Sequence, residues 1–231
     1  MNCCNEDFKY LTIAIESYLN QQKSKVQLIV STIEGDPCIS FIQEKYPSIE
    51  LCIFPKSEHP GKSPQGSFLQ INRALPMITG EWFCFASSND IAQPNKIRLE
   101  IDSCIKTHKK ICYSSFDRID ANGNTTNTQN FYRYDYARHL QGNFVSDCAL
   151  MHKSIVDEFL PFKTEFNNYA YWDLWLRVYE KYGNVFCYNP APTWKYRTLE
   201  SSMHIKRRNN PTLMAQYEND KKRMLNTHTN G

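Results

Sequence analysis

The stretch that decides the fold is residues 66–97, GSFLQINRALPMITGEWFCFASSNDIAQPNKI. Its centre, residues 81–86 (EWFCFA), is bulky, aromatic and almost uncharged, which predicts a strand buried on both faces. Apolar residues recur at helical spacing before this strand until Gly80 ends the pattern, and another helical pattern begins near Pro94. The predicted order is therefore helix, buried strand, polar run and helix.

Four small or polar residues, Ser87–Asp90 (SSND), follow the predicted buried strand directly. In open α/β sheets, ligands bind at the carboxyl ends of the strands. Residues 87–90, called the tip loop below, are therefore the first candidate for a binding site.

The sequence before this stretch also alternates between strand and helix patterns. Strand patterns at 26–30 and 49–54 enclose a helical pattern that Asp36 caps and Pro37 opens. This alternation predicts βαβ units and a mainly parallel sheet whose strand tips share one edge. Other patterns predict a helix capped by Asn5 and ending near 21, strands at 111–116, 143–151 and 184–188, helices at 94–108, 154–160, 172–182 and 211–225, a hairpin-type turn at 120–123 and an irregular loop at 124–142.

The composition bounds the class of protein. The 231 residues suffice for one large α/β domain, and 41% hydrophobic with 22% charged residues is ordinary for a globular chain. We expect a cytoplasmic protein, because no membrane span and no signal peptide is recognisable. Nine cysteines without a CxxC pair predict free thiols in a reducing compartment and no structural zinc site.

The positive charge is concentrated at one end. Residues 205–231 carry six Lys/Arg and two acids, so we expect a domain at 1–204 followed by a basic helical extension at 205–231. A charge excess confined to a tail predicts no nucleic-acid-binding face. The terminal helix could touch an anionic membrane surface peripherally, but its apolar stripe favours packing on the domain.

Residues 72–74 (NRA), 80–85 (GEWFCF), the tip loop and Pro94 follow one another in a pattern that resembles the family 2 glycosyltransferases of GT-A fold. Three outer segments carry the same resemblance, which spans about residues 2–205, although the strand that opens the family's fold is nearly absent here. These segments are 10–21 (YLTIAIESYLNQ), like the family's first helix, 171–177 (YWDLWLR), like its E-D-Y-D-L-W-L-R segment, and 194–197 (WKYR) with Ser201 and Ser202, like its closing motif.

The resemblance implies a single GT-A-like α/β domain with a mixed, mostly parallel central sheet flanked by helices. It implies transfer of a sugar from a nucleotide-diphosphate sugar to a hydroxyl of a glycan, lipid-linked or protein-linked acceptor, with inversion. In the family, a divalent metal (Mn²⁺ or Mg²⁺) at the tip loop bridges the donor's diphosphate, and a carboxylate on the later segment deprotonates the acceptor.

The residues that the resemblance assigns to donor and metal depart from the family pattern. Ser87 and Asn89 stand where the family usually has acids, so Asp90 and Asn89 are the expected metal ligands. One carboxylate with neutral oxygens makes a weaker site for a hard cation. The expected donor-binding residues are Cys4, Ser31, Glu34, Lys62, Arg73, Ser88 and Asn89.

The catalytic base also departs from the pattern. Tyr171 occupies its place, and Asp173 follows two residues later, which on a helix turns the side chain by about 200°. Asp173 could act as the base if the helix begins late, or it could be an ordinary acid at a helix N-terminus. Trp172 is the candidate for stacking on an acceptor sugar.

Two other functions remain open from the sequence. A non-catalytic glycosyltransferase-like domain that binds carbohydrate or a partner protein would explain the weakened positions. A nucleotidyltransferase would need a glycine-rich basic loop after the first strand, and residues 2–8 contain none. The glycosyltransferase interpretation predicts that Ser31–Glu34, the tip loop and Tyr171–Asp173 converge on one cleft.

Overall fold

A computed structural model describes residues 1–3, 7–60, 64–200, 202 and 207–229. The helices are α1 Phe8–Leu19, α2 Cys38–Lys45, α3 Pro64–Ala74, α4 Lys96–Thr107, α5 Tyr136–Gln141, α6 Lys153–Phe159, α7 Ala170–Tyr182 and α8 Pro211–Thr229. The strands are β1 Ile29–Ile33, β2 Glu50–Phe54, β3 Trp82–Cys84, β4 Ile91–Ala92, β5 Ile111–Ile119, β6 Thr125–Gln129, β7 Leu150–His152 and β8 Phe186–Arg197.

The strands form a mixed sheet in two parts. β1 pairs with β2, and the larger part has the order β3-β7-β5-β8-β4, with β6 also paired to β5. Residues 1–3 lie between the two parts, where Asn2 bridges in parallel to Ser31 of β1 and to Ser87 of the tip loop. This short segment therefore links the two parts of the sheet.

The sheet is mixed, as expected, and its two longest pairings are parallel, although most of the shorter ones are antiparallel. β1 with β2 and β5 with β8 are parallel, whereas β3–β7, β4–β8, β5–β6 and β5–β7 are antiparallel. The hairpin predicted at 120–123 accounts for one of these pairs. Asp120 accepts the backbone N–H groups of Asn122 and Asn124, and Gly123 takes a left-handed φ of 93°. The predicted irregular loop after it is therefore partly strand β6 and partly helix α5.

Two strand predictions near the tip loop need correction. β3 is half-buried rather than buried on both faces, because it borders a cavity. The strand predicted over 143–151 is limited to Leu150–His152, and residues 143–149 form a loop over the same cavity. β1 begins at Ile29, so Ser31 lies inside the strand and not at its tip.

Helix α7 anchors the largest hydrophobic core. Its residues Leu174, Trp175 and Val178 are fully buried and belong to one cluster with Tyr113 of β5. The helix α1 packs on the other part of the sheet through Leu11, Ala14, Ile15 and Tyr18. The carboxylate of Asp7 caps α1 by accepting the N–H of Lys9, whereas the predicted cap, Asn5, lies outside the described residues.

The C-terminal helix α8 packs on the domain, as favoured from the sequence. Met224 is fully buried, and the ring of Tyr217 lies 4.4 Å from that of Tyr169. Asp220 accepts a hydrogen bond from Asn167 at 2.9 Å. Within the ranges that the structure covers, no helix has the length and apolarity to cross a bilayer.

Candidate active site

A cavity of about 1050 Å³ opens where the tip loop, the 143–149 loop and the strands β5, β6 and β8 meet. Its wall is apolar along α3 and β3, and polar or aromatic along the tip loop, β6 and residues 143–148. Tyr171, Trp194 and Tyr196 also line it. The cavity therefore lies at the edge of the sheet at which the sequence predicted a binding site.

The predicted site residues only partly converge there. Residues of three segments line the cavity, namely Ser31, Ser87–Asp90 and Tyr171, whereas Glu34, Arg73, Trp172 and Asp173 do not line it. Cys4 and Lys62 lie outside the described residues. The predicted common cleft thus forms around the tip loop, but without the predicted carboxylate base.

The tip loop is held by Arg197 at the end of β8. The N–H of Arg197 donates to Oδ1 of Asp90 at 2.8 Å, and its guanidinium donates to the carbonyl oxygens of Asn89 and Asp120 at 3.0 and 3.1 Å. Within the loop, Ser87 Oγ donates to Asn89 Oδ1 at 2.6 Å. Burial raises the pKa of Asp90 to about 7, although the Arg197 hydrogen bond opposes this shift.

These contacts fit a divalent metal poorly. No three His, Cys, Asp or Glu side chains of the described part come together as metal ligands. A Mg²⁺ or Mn²⁺ ion can take its remaining ligands from phosphates and water. However, Asp90 is 5% exposed, already accepts a hydrogen bond and holds its proton up to about neutral pH. The Asn89 oxygen accepts the Ser87 hydroxyl, so the metal expectation for Asp90 and Asn89 finds little support in the geometry.

The predicted donor residues outside the tip loop have structural partners. Ser31 is buried and its hydroxyl donates to the Gln70 carbonyl at 2.9 Å, which ties β1 to α3. Glu34 is exposed and accepts the N–H of Lys56 at 3.3 Å. Arg73 lies 3.8 Å from Glu58 and stacks over Phe54. Glu34 and Arg73 therefore face the β2 side, away from the cavity, and their predicted donor role is not supported.

The expectation that Asp173 lies in the cleft is wrong. Helix α7 begins at Ala170, so Asp173 is in its first turn and fully buried beneath α8. Its carboxylate accepts from Arg177 at 2.7 Å and contacts His228 at 3.2 Å. Burial alone raises the pKa of Asp173, but these hydrogen bonds outweigh burial and hold it below the ordinary value. Asp173 is thus part of an ion network and cannot reach an acceptor in the cavity.

Trp172 does not face the cavity either. Its ring is 3% exposed, its Nε1–H donates to the His139 carbonyl at 2.9 Å, and it packs with Leu176 and Met224. The predicted stacking on an acceptor sugar is therefore wrong, because helical spacing from Tyr171 places this ring in the core under α8.

Tyr171 lines the cavity but is not placed to act as a base. Its ring packs against Phe68, Phe85 and Phe162, with centroid distances of 5.2, 5.1 and 4.9 Å. Burial raises the pKa of Tyr171 well above its usual range, and the nearby charge of Asp147 raises it further. The phenol is neutral at physiological pH, where it can donate a hydrogen bond to a ligand.

Asp147 is the acid that sequence reasoning missed. It lines the cavity and is exposed to it, although protein surrounds the site closely enough that burial raises its pKa to about 6. Its carboxylate forms no hydrogen bond or ion pair with any described residue. The sequence did carry a signal, since Asp147 is a lone acid inside the apolar run NFVSDCALM.

Three charged side chains surround the ring of Tyr196. Burial raises the pKa of Tyr196, the charges of Asp90 and Asp147 raise it further, and that of Arg118 lowers it. Arg118 is half-buried over the rings of Phe116 and Tyr196, at 5.3 and 5.5 Å. Its guanidinium has no ion-pair partner in the described ranges, so this part of the cavity wall offers an unpaired cation beside Asp90 and Asp147.

Three buried polar atoms on this wall also lack partners among the described residues. They are Asn2 Oδ1, Ser146 Oγ and Trp194 Nε1, from three separate segments that line the cavity. Buried polar atoms in proteins are almost always hydrogen-bonded. These three atoms are themselves covered by protein, so it is the polar side chains lining the cavity, such as Asn130 and Asp147, that indicate a site for a polar ligand.

Solved structures with a similar fold include GT-A-like glycosyltransferases. S. aureus TarS 1-349 in complex with UDP superposes with a TM-score of 0.65 at 15% identity, over 97% of this chain and 68% of that one. M. tuberculosis glucosyl-3-phosphoglycerate synthase in complex with UDP gives 0.60 at 14% identity, over 97% and 78%. No protein-family model matches, and no curated protein matches significantly.

These likenesses establish the fold. The protein is a mixed α/β domain of GT-A type with a curled sheet flanked by helices, as the sequence resemblance implied. TarS 1-349 also has a structure in complex with UDP-GlcNAc, with a TM-score of 0.61 over 97% of this chain. The fold is thus one on which known proteins hold a nucleotide-sugar.

Proposed function

We propose that the protein is a glycosyltransferase that moves a sugar from a nucleotide-diphosphate sugar to a hydroxyl of a glycan or related acceptor. One observation carries the proposal: a large cavity with polar and aromatic side chains in its wall lies at the tip loop of a GT-A-type fold. Two structural neighbours have been solved in complex with UDP, so a uridine donor is the first choice.

The cavity offers suitable chemistry for such a donor. A diphosphate carries negative charge, and Arg118 is a cation on the wall with no acidic partner in the described part of the chain. Inversion and dependence on Mn²⁺ or Mg²⁺ belong to the family resemblance, and no step of the proposed reaction is assigned to a metal.

The strand β6 and the residues after it suit a carbohydrate acceptor. Gln129, Asn130, Phe131 and Tyr132 line the cavity in sequence, and Tyr132 is 46% exposed. Amide side chains hydrogen-bond sugar hydroxyls, and aromatic rings cover the apolar face of a sugar. This composition supports a glycan or glycan-linked acceptor.

A second candidate function is binding without transfer, and a specific observation favours it. The family's base position holds Tyr171, and Asp173 is buried away from the cavity. A domain that binds nucleotide-sugar or carbohydrate without transferring it would show this pattern. A glycosyltransferase and a binding domain would both bind the ligand, but only the glycosyltransferase would turn it over.

A thermal-shift panel tests the proposal. UDP-, GDP-, CDP- and dTDP-sugars are compared, each with and without Mn²⁺. A ligand at about 100 times its dissociation constant adds ~2.7 kcal/mol, which for a chain of this size is roughly 5–10 °C. We expect one nucleotide class to give such a shift, and a requirement for Mn²⁺ would support the family's metal. No shift with any donor contradicts the proposal, and a shift without turnover favours the binding domain.

A further inference from the structure

The acids on the cavity wall are Asp90 and Asp147, among the residues that the structure describes. Their environments differ. Asp90 is 5% exposed and accepts the backbone N–H of Arg197, 107 positions along the chain, so it fixes the tip loop to β8. Asp147 is exposed to the cavity and has no partner there. A ligand in the cavity can therefore contact the Asp147 carboxylate directly, whereas only a small part of Asp90 is accessible to it.

The position of Asp147 relative to Tyr171 suggests its role. Asp147 and Tyr171 both line the cavity, the charge of Asp147 raises the pKa of the Tyr171 phenol, and Tyr171 stands where the resemblance expects the base. The carboxylate thus approaches the same part of the cavity from the 143–149 loop rather than from helix α7. The other acid near that segment, Asp173, is closed off by Arg177 and His228.

We propose that Asp147 is the general base of this protein, an inference that rests on the proposed glycosyl transfer. The acceptor hydroxyl gives its proton to a carboxylate oxygen of Asp147 while its oxygen forms a bond to the anomeric carbon of the donor. The bond from that carbon to the diphosphate breaks, and the nucleoside diphosphate leaves with the electron pair. The products are the glycoside, the nucleoside diphosphate and one proton on Asp147, which passes to water.

The surroundings of Asp147 suit this role. A general base works best when its pKa lies near the working pH, and enclosure by protein raises the pKa of Asp147 to about 6. The loop that carries it is fixed, because the buried ammonium of Lys96 donates to the Cys148 carbonyl at 3.0 Å.

The test compares wild type with Asp147→Asn, which keeps the shape of the side chain. The control is Asp102→Asn on α4, where the carboxylate is paired with Arg98 on the surface. Binding of UDP-GlcNAc and UDP-glucose is measured by thermal shift. Release of UDP from each is measured from pH 5 to 9, with water alone and with p-nitrophenyl glycosides as acceptors.

We expect Asp147→Asn to bind the donor within about threefold of wild type and to release UDP roughly 10²–10⁴-fold more slowly. The wild-type rate should fall as the pH drops through about 6, and this dependence should be lost in Asp147→Asn. The Asp102→Asn control should match wild type in both measurements.

The outcomes separate this inference from the function on which it rests. Asp147→Asn that releases UDP within threefold of wild type overturns the assignment of the base and leaves glycosyl transfer standing. Wild type that binds donor but releases no UDP with any acceptor favours the binding domain, and the assignment of the base then falls together with glycosyl transfer. Wild type that binds no nucleotide-sugar in the panel overturns the proposed function itself.

Discussion

At the scale of single residues, hydrogen bonds from side chains to backbone carbonyls hold the loops that form the cavity. Arg197 is 3% exposed and ties the tip loop to the β5–β6 turn through Asn89, Asp120 and Ala121. Its guanidinium also lies over the ring of Tyr10 at 4.6 Å. These bonds join the tip loop to the β5–β6 turn through contacts within the protein, so the tip loop keeps its shape without a ligand.

Arg118 provides the sharpest residue-scale prediction on binding. Arg118→Gln removes the cation from the cavity wall while keeping most of the side-chain length. A hydrogen bond to a charged group is worth about 1.5–3 kcal/mol, so affinity for UDP should fall roughly 10- to 100-fold. Titration calorimetry measures the change.

The matched control is Arg98→Gln, which removes an exposed arginine from the surface of α4. It should leave UDP affinity unchanged. Equal UDP affinity in wild type and Arg118→Gln would contradict a diphosphate site beside Arg118.

Single residues also show which parts of the candidate site could not be predicted from the sequence. The tip loop and Tyr171 were found because their neighbours in sequence carry the pattern. Asp173 was misassigned because its burial depends on His228, 55 positions away, and no local pattern reports such a contact. Asp147 was missed because the 143–149 segment has strand character, whereas its exposure to the cavity is a tertiary property.

At the scale of elements, a buried ion pair joins helix α4 to the site. Lys96 and Glu100 are fully buried with their charged atoms 2.6 Å apart. Ser114 and Thr193 donate to Glu100 at 2.9 and 2.6 Å, and Lys96 holds the Cys148 carbonyl. The pair therefore connects α4, β5, β8 and the 143–149 loop.

Lys96→Met should be strongly destabilising. It leaves Glu100 buried without its cation, which costs about 3–5 kcal/mol and lowers the melting temperature by roughly 10–15 °C. Thermal unfolding, monitored by circular dichroism, measures the change in melting temperature. The double variant Lys96→Met/Glu100→Leu should recover much of the loss, and a single variant as stable as wild type would show that the pair does not hold this junction.

The contact of α8 with α7 predicts a pH dependence. His228 lies between Asp173 at 3.2 Å and Glu180 at 2.7 Å, with Arg177, Lys163 and Tyr136 around these acids. Burial alone lowers the pKa of His228, but the bonds to the two carboxylates outweigh burial and raise it above 6.5. A raised histidine pKa stabilises the fold fully below the unfolded pKa, and this contribution is lost as the pH rises through the folded pKa.

His228→Gln should therefore destabilise the protein most at pH 6, and its difference from wild type should shrink as the pH rises above 6.5. Urea unfolding of both proteins from pH 6 to 9 measures this difference. A difference that stays constant or grows with pH would contradict a protonated His228 at the α7–α8 contact.

The boundaries of the elements followed sequence signals where those signals are local. Helices α6 and α7 and strand β2 lie within two residues of their predicted bounds, because each has an apolar stripe or run with clear stops. Strand β6 was missed because TTNTQ is polar and mostly exposed, and its pairing with β5 is its main support. Local polarity cannot report a partner strand.

At the scale of the whole molecule, the short segment 1–3 joins the two parts of the sheet. Cys3 donates its N–H to the Ser31 carbonyl at 2.9 Å, and Asn2 donates to the Ala86 carbonyl at 3.4 Å. The cavity extends beside this segment, along residues 26–29 of the β1 side and along β3. The fold class was predictable because residues 66–97 and the segments around them all indicate alternating strands and helices. The directions of most strand pairs were not predictable, because they depend on chain reversals that the sequence pattern does not encode.

The proposed function requires that the cavity at the tip loop holds a nucleotide-sugar. A crystal structure of the protein with UDP tests this most directly. We expect UDP in the cavity, with its diphosphate within hydrogen-bonding distance of Arg118 and with room for an acceptor beside Asp147. UDP bound elsewhere on the molecule, or an unchanged cavity at millimolar UDP, would contradict it.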